Sequence, residues 1–470
     1  MPLSEIFLAQ AQEIVGQTGI FLSETDREPY SHDEFATEEY SCLPLAVIKP
    51  STEEEVAKIV KLCGETGVPV TPRGAGTGLS AGCVPGEKGV VLSLERLNKI
   101  IKVDKENQSI TLQAGVTLEA LFTAVEEAGL FFPPHPGDEG AMAGGLVAAN
   151  AGGARAVKYG TIRRFVRGLT VVFPEGRIVK LGGNTLKSSS GYHLMDLMIG
   201  SEGTLGIITE VILSLLPRQG ASVTLVIPFE TIDKAIECVQ VIFEHGIVPF
   251  AVEFVEHSVI SLTEKLLSKS WPAKQGAASL LIILEGQGED ELLASAERIA
   301  EIAEEMEPLD VLIADKKENQ ADILEIRSMI YEALRPGTAE LFDVCVPRAE
   351  IAGHVEFVHS LEEKLCMNLP TYGHAGDGNI HTHAMKNSIV EGKLGDELPD
   401  WKEKLNEVRQ EIYRDAAARG GVISGEHGIG LVKREYLEDN IGSGAVEIMR
   451  KIKKAIDPAG IMNPGKIFTD

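Results

Sequence analysis

The sequence predicts a mixed helix-and-strand fold of the α+β class, divided into two large domains. Three observations carry that expectation. The chain has 470 residues, more than one hydrophobic core usually organises. Its first half alternates helical periodicity with short apolar runs. Its texture changes after Pro217, where longer strand-like runs begin to alternate with helical ones.

The elements follow in order. Thr52 and Glu55 form a capping-box pattern, and Val56, Ile59, Val60 and Cys63 then share one helical face. A short apolar run, Val68–Val70, leads into Pro72-Arg73-Gly74-Ala75-Gly76-Thr77-Gly78. Gly89–Leu94 reads as a strand, and two more flank the turn at Lys105–Asn107. Leu118, Leu121, Phe122 and Val125 mark a second helix. Residues 168–181 read as a hairpin turning at Pro174-Glu175-Gly176. Beyond the boundary at Pro217-Arg218-Gln219-Gly220, strands are expected at Val223–Ile227, Pro249–Val255, Leu280–Glu285 and Val311–Asp315, with a helix over 289–306. The last 50 residues are glycine-rich again, which predicts a return to the first domain. The expected domains are 1–217, 218–420 and a C-terminal segment 421–470.

Charge narrows the function. Lys+Arg 44 against Asp+Glu 70 gives 44 − 70 = −26, a surface that repels phosphate backbones and anionic lipid heads. Nucleic acid is therefore excluded as a partner. Cys42, Cys63, Cys83, Cys238, Cys345 and Cys366 contain no C-x-x-C pair, so neither a disulfide framework nor an iron–sulfur or zinc-ribbon site is expected. The N-terminus lacks a basic signal region, and no run reaches the ~18–20 apolar residues of a membrane span. A cytoplasmic protein is expected, peripheral to a membrane only through a partner.

Two glycine clusters, Arg73–Gly78 and Pro136-Gly137-Asp138-Glu139-Gly140 through Gly144-Gly145 to Asn150-Ala151-Gly152-Gly153, each follow an apolar run. Without Cβ atoms, successive backbone N–H groups can converge on phosphate oxygens. No Walker lysine follows, and no G-x-G-x-x-G closes onto a helix. A diphosphate cofactor of another type is the reading, with Gly200–Thr209 as a third backbone-rich segment.

His374-Ala375-Gly376-Asp377-Gly378-Asn379-Ile380-His381-Thr382-His383 holds three of the 11 histidines. As a strand, Asn379–His383 places His381 and His383 on one face, with His374 in the preceding glycine loop. Ser424-Gly425-Glu426-His427-Gly428 adds a carboxylate beside an imidazole. Two imidazoles and a carboxylate make a three-ligand set with open positions, so a catalytic metal is expected. His32, His245, His257, His354 and His359 read as structural.

At this point the motifs resemble a known family. Pro-Arg-Gly-x-Gly-Thr-Gly, Asn-Ala-Gly-Gly-x-Arg-Ala-x-Lys-Tyr-Gly, Gly-Ser-Glu-Gly-Thr-Leu-Gly, Gly-His-x-Gly-Asp-Gly-Asn-x-His and Gly-Glu-His-Gly-x-Gly occur in the order found in FAD-linked D-2-hydroxy-acid dehydrogenases. That family includes D-lactate dehydrogenases and the glycolate oxidase flavoprotein subunit. The resemblance spans roughly Tyr30 to Lys466. It implies a two-subdomain FAD-binding domain of the vanillyl-alcohol-oxidase type, plus a substrate (cap) domain with an antiparallel sheet and helices. It implies that Pro72, Arg73, Gly74, Ala75, Gly76, Thr77 and Gly78, with Pro136, Gly137, Asp138, Met142, Gly145, Asn150, Gly152 and Gly153, hold the pyrophosphate and approach the flavin. Glu202, Gly206, Ile207 and Ile208 then lie near the adenosine half, and Asn463 and Lys466 near the isoalloxazine. Thr77 stands where covalent members carry a histidine, and the second loop has no cysteine, so the FAD is expected to be non-covalent.

The resemblance also implies a divalent metal (Zn, Fe or Mn) on His374, His381 and Glu426, with His427 as base. His383 is a further ligand or a supporting residue. Arg327 matches an arginine that grips the substrate carboxylate, with Leu324 where a tryptophan is common. Leu341 replaces the lysine of enzymes for 2-hydroxyglutarate, which favours a small substrate. The implied reaction is metal-assisted deprotonation of D-lactate, or next glycolate, with hydride transfer to flavin. The expected acceptor is an electron-transfer flavoprotein, an iron–sulfur subunit or a quinone, and both homo- and hetero-oligomers stay open. Two rivals are a metal-independent flavin alcohol or sugar oxidase and a non-catalytic electron-transfer subunit.

Overall fold

The computed structural model describes residues 3–35, 38–218, 220–314, 316–390 and 392–469. The chain forms two compact units, one of residues 1–152, 161–218 and 426–470, the other of 153–160 and 219–425. The short segment 153–160, within the range expected of the first domain, packs with the second unit. The chain re-enters the first unit at Glu426 rather than at 421.

In the first unit, β1 (Ile20–Phe21), β2 (Val47–Ile48), β3 (Val70–Arg73) and β4 (Val90–Ser93) form a sheet of order β1-β2-β4-β3. The β2–β4 and β3–β4 pairs are parallel. The helix Glu53–Thr66 crosses between β2 and β3. Thr52 caps it by accepting from the Glu55 N–H, and Gly67 ends it in the left-handed region at φ 65°. Its face of Val56, Ile59, Val60 and Cys63 lies in the core with Ile48, Val70 and Leu92. A second, antiparallel sheet is built from β5 (Ile100–Asp104), β6 (Ser109–Gln113), β8 (Val166–Val172), β9 (Ile178–Gly182) and β10 (Ile207–Ser214), in the order β5-β6-β10-β8-β9. The two-residue strands β7 (Leu130–Phe131) and β11 (Leu216–Pro217) pair with each other. The expected hairpin at 168–181 is β8–β9.

The second unit is organised by one antiparallel sheet of β12 (Ala221–Phe229), β13 (Ala251–Glu256), β14 (Ala278–Gly286), β15 (Leu312–Ala314), β16 (Thr338–Cys345), β17 (Thr371–His374) and β18 (Asn379–Met385). Its order is β15-β12-β14-β13-β17-β18-β16. A small hairpin, β19 (Asn387–Val390) and β20 (Lys393–Glu397), follows. The helix expected over 289–306 ends at Glu304. Asp315, expected to close a strand, and Gln219, at the expected boundary, lie outside the described residues.

His374 is not in a loop but is the last residue of β17, and the glycine turn comes after it. Gly378 in that turn has φ +94°, and a Cβ there would lie 2.0 Å from the Val346 carbonyl oxygen. Only glycine fits, so the G-D-G-N spacing is what returns the chain from β17 into β18.

Candidate functional site

Each unit carries part of the expected chemistry. In the first unit, Pro72 and Arg73 end β3, and Gly74–Gly78 follow as an open loop. Among the described residues, the backbone N–H groups of Gly74, Ala75, Gly76, Thr77 and Gly78 donate to no protein acceptor. Gly76 has φ +86°. Consecutive free N–H groups make an anion-binding nest. The Arg73 guanidinium packs against this loop, since a Cβ at Gly76 would lie 2.1 Å from its Nη2, and it donates to the carbonyls of His32 and Pro29 and contacts Cys83 Sγ. A Cβ at Gly137 or Gly145 would meet nothing within 4 Å, so both glycines border open space. Asp138 turns its carboxylate back onto the Gly140 N–H at 2.7 Å. Met142 precedes the short helix Ala143–Ala149, and Asn150 ends it in the left-handed region. Glu426 covers Gly152, where a Cβ would lie 2.8 Å from its Oε2.

Glu202 accepts from the N–H groups of Ile429 at 2.7 Å and Gly430 at 2.8 Å. It thereby pins the stretch that follows His427. Burial pushes the Glu202 carboxyl up, and those two N–H groups oppose the shift without reversing it. Gly206 leads into β10, whose Ile207 and Ile208 are buried. Asn463 Nδ2 donates to the carbonyls of Gly82 at 2.9 Å and Glu202 at 2.7 Å. Its Oδ1 is buried and accepts from no donor among the described residues. That atom and the N–H nest suit a ligand rich in both acceptors and donors, as a flavin dinucleotide is.

Lys466 is 3% exposed. Burial pushes it down to about 8, against the upward pull of Cys83, Glu202 and Cys42 and with Arg434 adding to the fall. Below pH 8 folded and unfolded chains both hold this proton, and the folded chain bears the full cost. Between about 8 and 10.5 only the unfolded chain keeps it, so stability rises with pH through that window. The difference 10.5 − 8 = 2.5 corresponds to about 3 kcal/mol at ~1.36 per unit. Lys466→Met is expected to stabilise flavin-free protein at pH 7 by up to that amount in urea melts. An advantage equally large at pH 10.5 would contradict this origin.

In the second unit, four neighbouring strands bring polar groups onto one sheet face. Asp343 of β16 pairs with His381 of β18, and Tyr372 of β17 also pairs with His381. Phe254 pairs with Gly373, so the next step sets Glu253 opposite His374. Glu253 Oε1 accepts from His374 Nδ1 at 2.6 Å, and Oε2 accepts from Arg327 of the helix Lys317–Ser328. Burial pushes the Glu253 carboxyl up, but His374 and Arg327 outweigh it and hold it at about 2. Arg327 lies over the Tyr372 ring, 4.8 Å from its centre, and its Nε is buried without a hydrogen-bond partner. The His374 and His381 rings are perpendicular, with their Nε2 atoms 3.5 Å apart. Two imidazole nitrogens ~2.0–2.1 Å from one tetrahedral ion stand about 3.4 Å apart. The pair therefore fits a shared cation, and the carboxylates behind the rings fit the outer shell of such a site.

His383 shares the face but not that role. Its two ring nitrogens bond to Thr338 Oγ1 at 2.8 Å and Tyr372 Oη at 3.1 Å. Leu341 is buried beside Asp343, and Leu324 is 38% exposed. Asp343 accepts from Asn379 Nδ2 at 2.7 Å and Ser424 Oγ at 2.9 Å, and its carbonyl accepts from Gly425 N–H. Glu426 is the next residue in the chain. In the first unit, Glu426 Oε1 stands 3.8 Å from His427 Nε2, and the His427 carbonyl accepts from Ser80 Oγ. Sequence reading missed Glu253. Its signal was a lone carboxylate inside the apolar run Ala251–Val255, a local conflict of the kind found at functional sites.

Comparison with known proteins adds the family. A family model described as an FAD binding domain matches residues 44–182, and one described as FAD linked oxidases, C-terminal domain, matches 218–467. The D-lactate dehydrogenase of Archaeoglobus fulgidus is 44% identical over 421 residues, covering 90% of each chain. That of Anaerostipes hadrus is 41% identical over 456 residues, covering 95% of this chain and 94% of the relative. The glycolate oxidase subunit GlcD of Bacillus subtilis is 36% identical over 464 residues, covering 98% and 96%. Among solved structures, p-cresol methylhydroxylase aligns with TM-score 0.79 at 16% identity, covering 100% of this chain and 99% of that one. The 4-ethylphenol oxidase of Gulosibacter chungangensis aligns with TM-score 0.78 at 17% identity, covering 100% and 98%. Identity that low carries the fold alone. No helix among the described residues is long and apolar enough to cross a membrane. With the FAD-binding model over the first glycine loops and the oxidase model over more than half the chain, this protein belongs to the FAD-linked oxidase family and is an FAD-dependent oxidoreductase of the vanillyl-alcohol-oxidase fold type.

Proposed function

We propose that the protein oxidises a small D-2-hydroxy acid, D-lactate before glycolate, to the 2-oxo acid. The observation that carries this reading is the arrangement of Glu253, His374 and His381 on one sheet face, with Arg327 reaching Glu253 from the helix Lys317–Ser328, in a chain 44% identical to a D-lactate dehydrogenase. FAD, when bound, supplies the two-electron acceptor, and a divalent cation (Zn, Fe or Mn), when bound, supplies Lewis acidity at the substrate hydroxyl.

The chain's own residues do the rest. His374 and His381 offer two imidazole nitrogens to the cation, and the family resemblance assigns the carboxylate to Glu426. Arg327 binds the substrate carboxylate: its side chain is 15% exposed, and Glu253 takes only one of its N–H groups. His427 takes the hydroxyl proton, an imidazole's ordinary pKa of ~6.5 being suited to neutral pH. Leu341 supplies apolar surface where a second carboxylate would need a cation, which supports a monocarboxylate. Non-covalent attachment follows from Thr77. The pyrophosphate belongs to the N–H nest of residues 74–78, with Pro136–Gly153, Glu202 and Gly206–Ile208 completing the dinucleotide's surroundings and Asn463 and Lys466 at the ring. The net charge of −26 suits electron transfer to an acceptor with a basic docking surface, an electron-transfer flavoprotein or an iron–sulfur subunit, with a quinone as the small-molecule alternative.

The test is an anaerobic visible spectrum before and after D-lactate, with and without prior metal removal. The flavin band is expected to bleach with D-lactate and to persist once metal is stripped. Bleaching that survives metal removal would replace this reading with a metal-independent alcohol oxidase. A band that no hydroxy acid bleaches would leave an electron-transfer subunit.

A further inference from the structure

We infer that Glu253 is a positioning residue that presets both the His374 imidazole and the Arg327 guanidinium, an inference that rests on the roles just proposed for those two residues. Glu253 is the third residue of β13, 3% exposed, with Val252 and Phe254 on either side. A carboxylate there is costly unless both oxygens find strong donors. Each oxygen has one. Oε1 takes the His374 Nδ1–H at 2.6 Å, and Oε2 takes an Arg327 N–H.

The first bond selects a tautomer. With its proton on Nδ1, the His374 ring carries its lone pair on Nε2, the atom that stands 3.5 Å from His381 Nε2. It also stops the ring from turning about Cβ–Cγ. The second bond occupies one edge of the Arg327 guanidinium and, with the Tyr372 ring 4.8 Å away, holds the fork in one plane. The part of the guanidinium that is still exposed, within a side chain 15% exposed, is then held ready for a planar anion. One side chain thus couples the cation-binding edge to the carboxylate-binding edge. Asp343, behind His381 at 3.9 Å, does not reach both.

Glutamine keeps the shape but not the function. Its amide presents one oxygen and one NH2, so one of the two donors must lose its acceptor and face an N–H. Aspartate keeps both oxygens one methylene short.

The experiment uses the full-length flavin-loaded protein, ring-labelled with nitrogen-15 at histidine, as wild type, Glu253→Gln and Glu253→Asp. Imidazole spectra are recorded after metal removal, with His374 assigned by its own substitution. Affinity for Zn²⁺ and Mn²⁺ is then read by competition with a chelator, and D-lactate kinetics are measured alongside. Wild type is expected to show His374 with its proton on Nδ1. Glu253→Gln is expected to lose that tautomer, to bind metal ~10–100-fold more weakly and to raise the KM for D-lactate while keeping its flavin. Glu253→Asp is expected to recover part of each effect. An unchanged tautomer and unchanged metal affinity in Glu253→Gln would overturn the inference. Should that variant lose its flavin, Glu253→Asp decides by the same two readouts. Wild type that binds no metal, but whose tautomer still depends on Glu253, would uphold the positioning role and remove the metal from the proposed function.

Discussion

His427→Ala is expected to lower D-lactate turnover by ~10²–10⁴, the usual worth of a positioned general base, while the protein stays folded and keeps its FAD. The structure explains why the two effects separate. Backbone groups help to fix this stretch. The His427 carbonyl accepts from Ser80 Oγ at 3.0 Å, and Glu202 holds the N–H groups of Ile429 and Gly430. Removing the imidazole leaves those bonds in place. The loss should lie in kcat more than in KM, because proton removal belongs to the transition state. The flavin band should bleach slowly but completely. Turnover within a few-fold of wild type would take His427 out of the mechanism.

Arg327→Met should act on the other parameter. Hydrogen bonds to a charged group are worth ~1.5–3 kcal/mol each, so losing the carboxylate anchor is expected to raise the KM for D-lactate by ~10–100-fold with a smaller change in kcat. Arg327→Lys should not restore it, since an ammonium cannot offer a planar pair of donors. A second consequence follows from the pairing with Glu253. Without the guanidinium, a buried carboxylate keeps only His374, and breaking a buried ion pair in this way costs ~3–5 kcal/mol. The variant should therefore also melt earlier. A melting shift with an unchanged KM would assign Arg327 a structural role only.

Much of this was legible along the chain. The capping pattern at Thr52, the hairpin at 168–181 and the glycine loop 74–78 are local, and local spacing suffices to read them. The His381/His383 alternation was equally legible as one strand face. It did not reveal that both ring nitrogens of His383 are engaged within the protein, by Thr338 and Tyr372. Arg73 was legible as part of the glycine loop. That its guanidinium packs against the loop while donating to carbonyls of residues 29 and 32 was not.

The sequence by itself determined the family, the cofactor class and the residue types that chemistry requires, because those are written in short motifs whose spacing the backbone preserves. Tertiary structure decided their partnership. Glu253 and His374 are 121 positions apart, and only the antiparallel order β13-β17-β18-β16 sets Glu253, His374, His381 and Asp343 side by side. A strand's own periodicity says which face a side chain takes. Which strand lies beside it is settled by non-local pairing, and in this protein that pairing selects which imidazole nitrogen carries a lone pair.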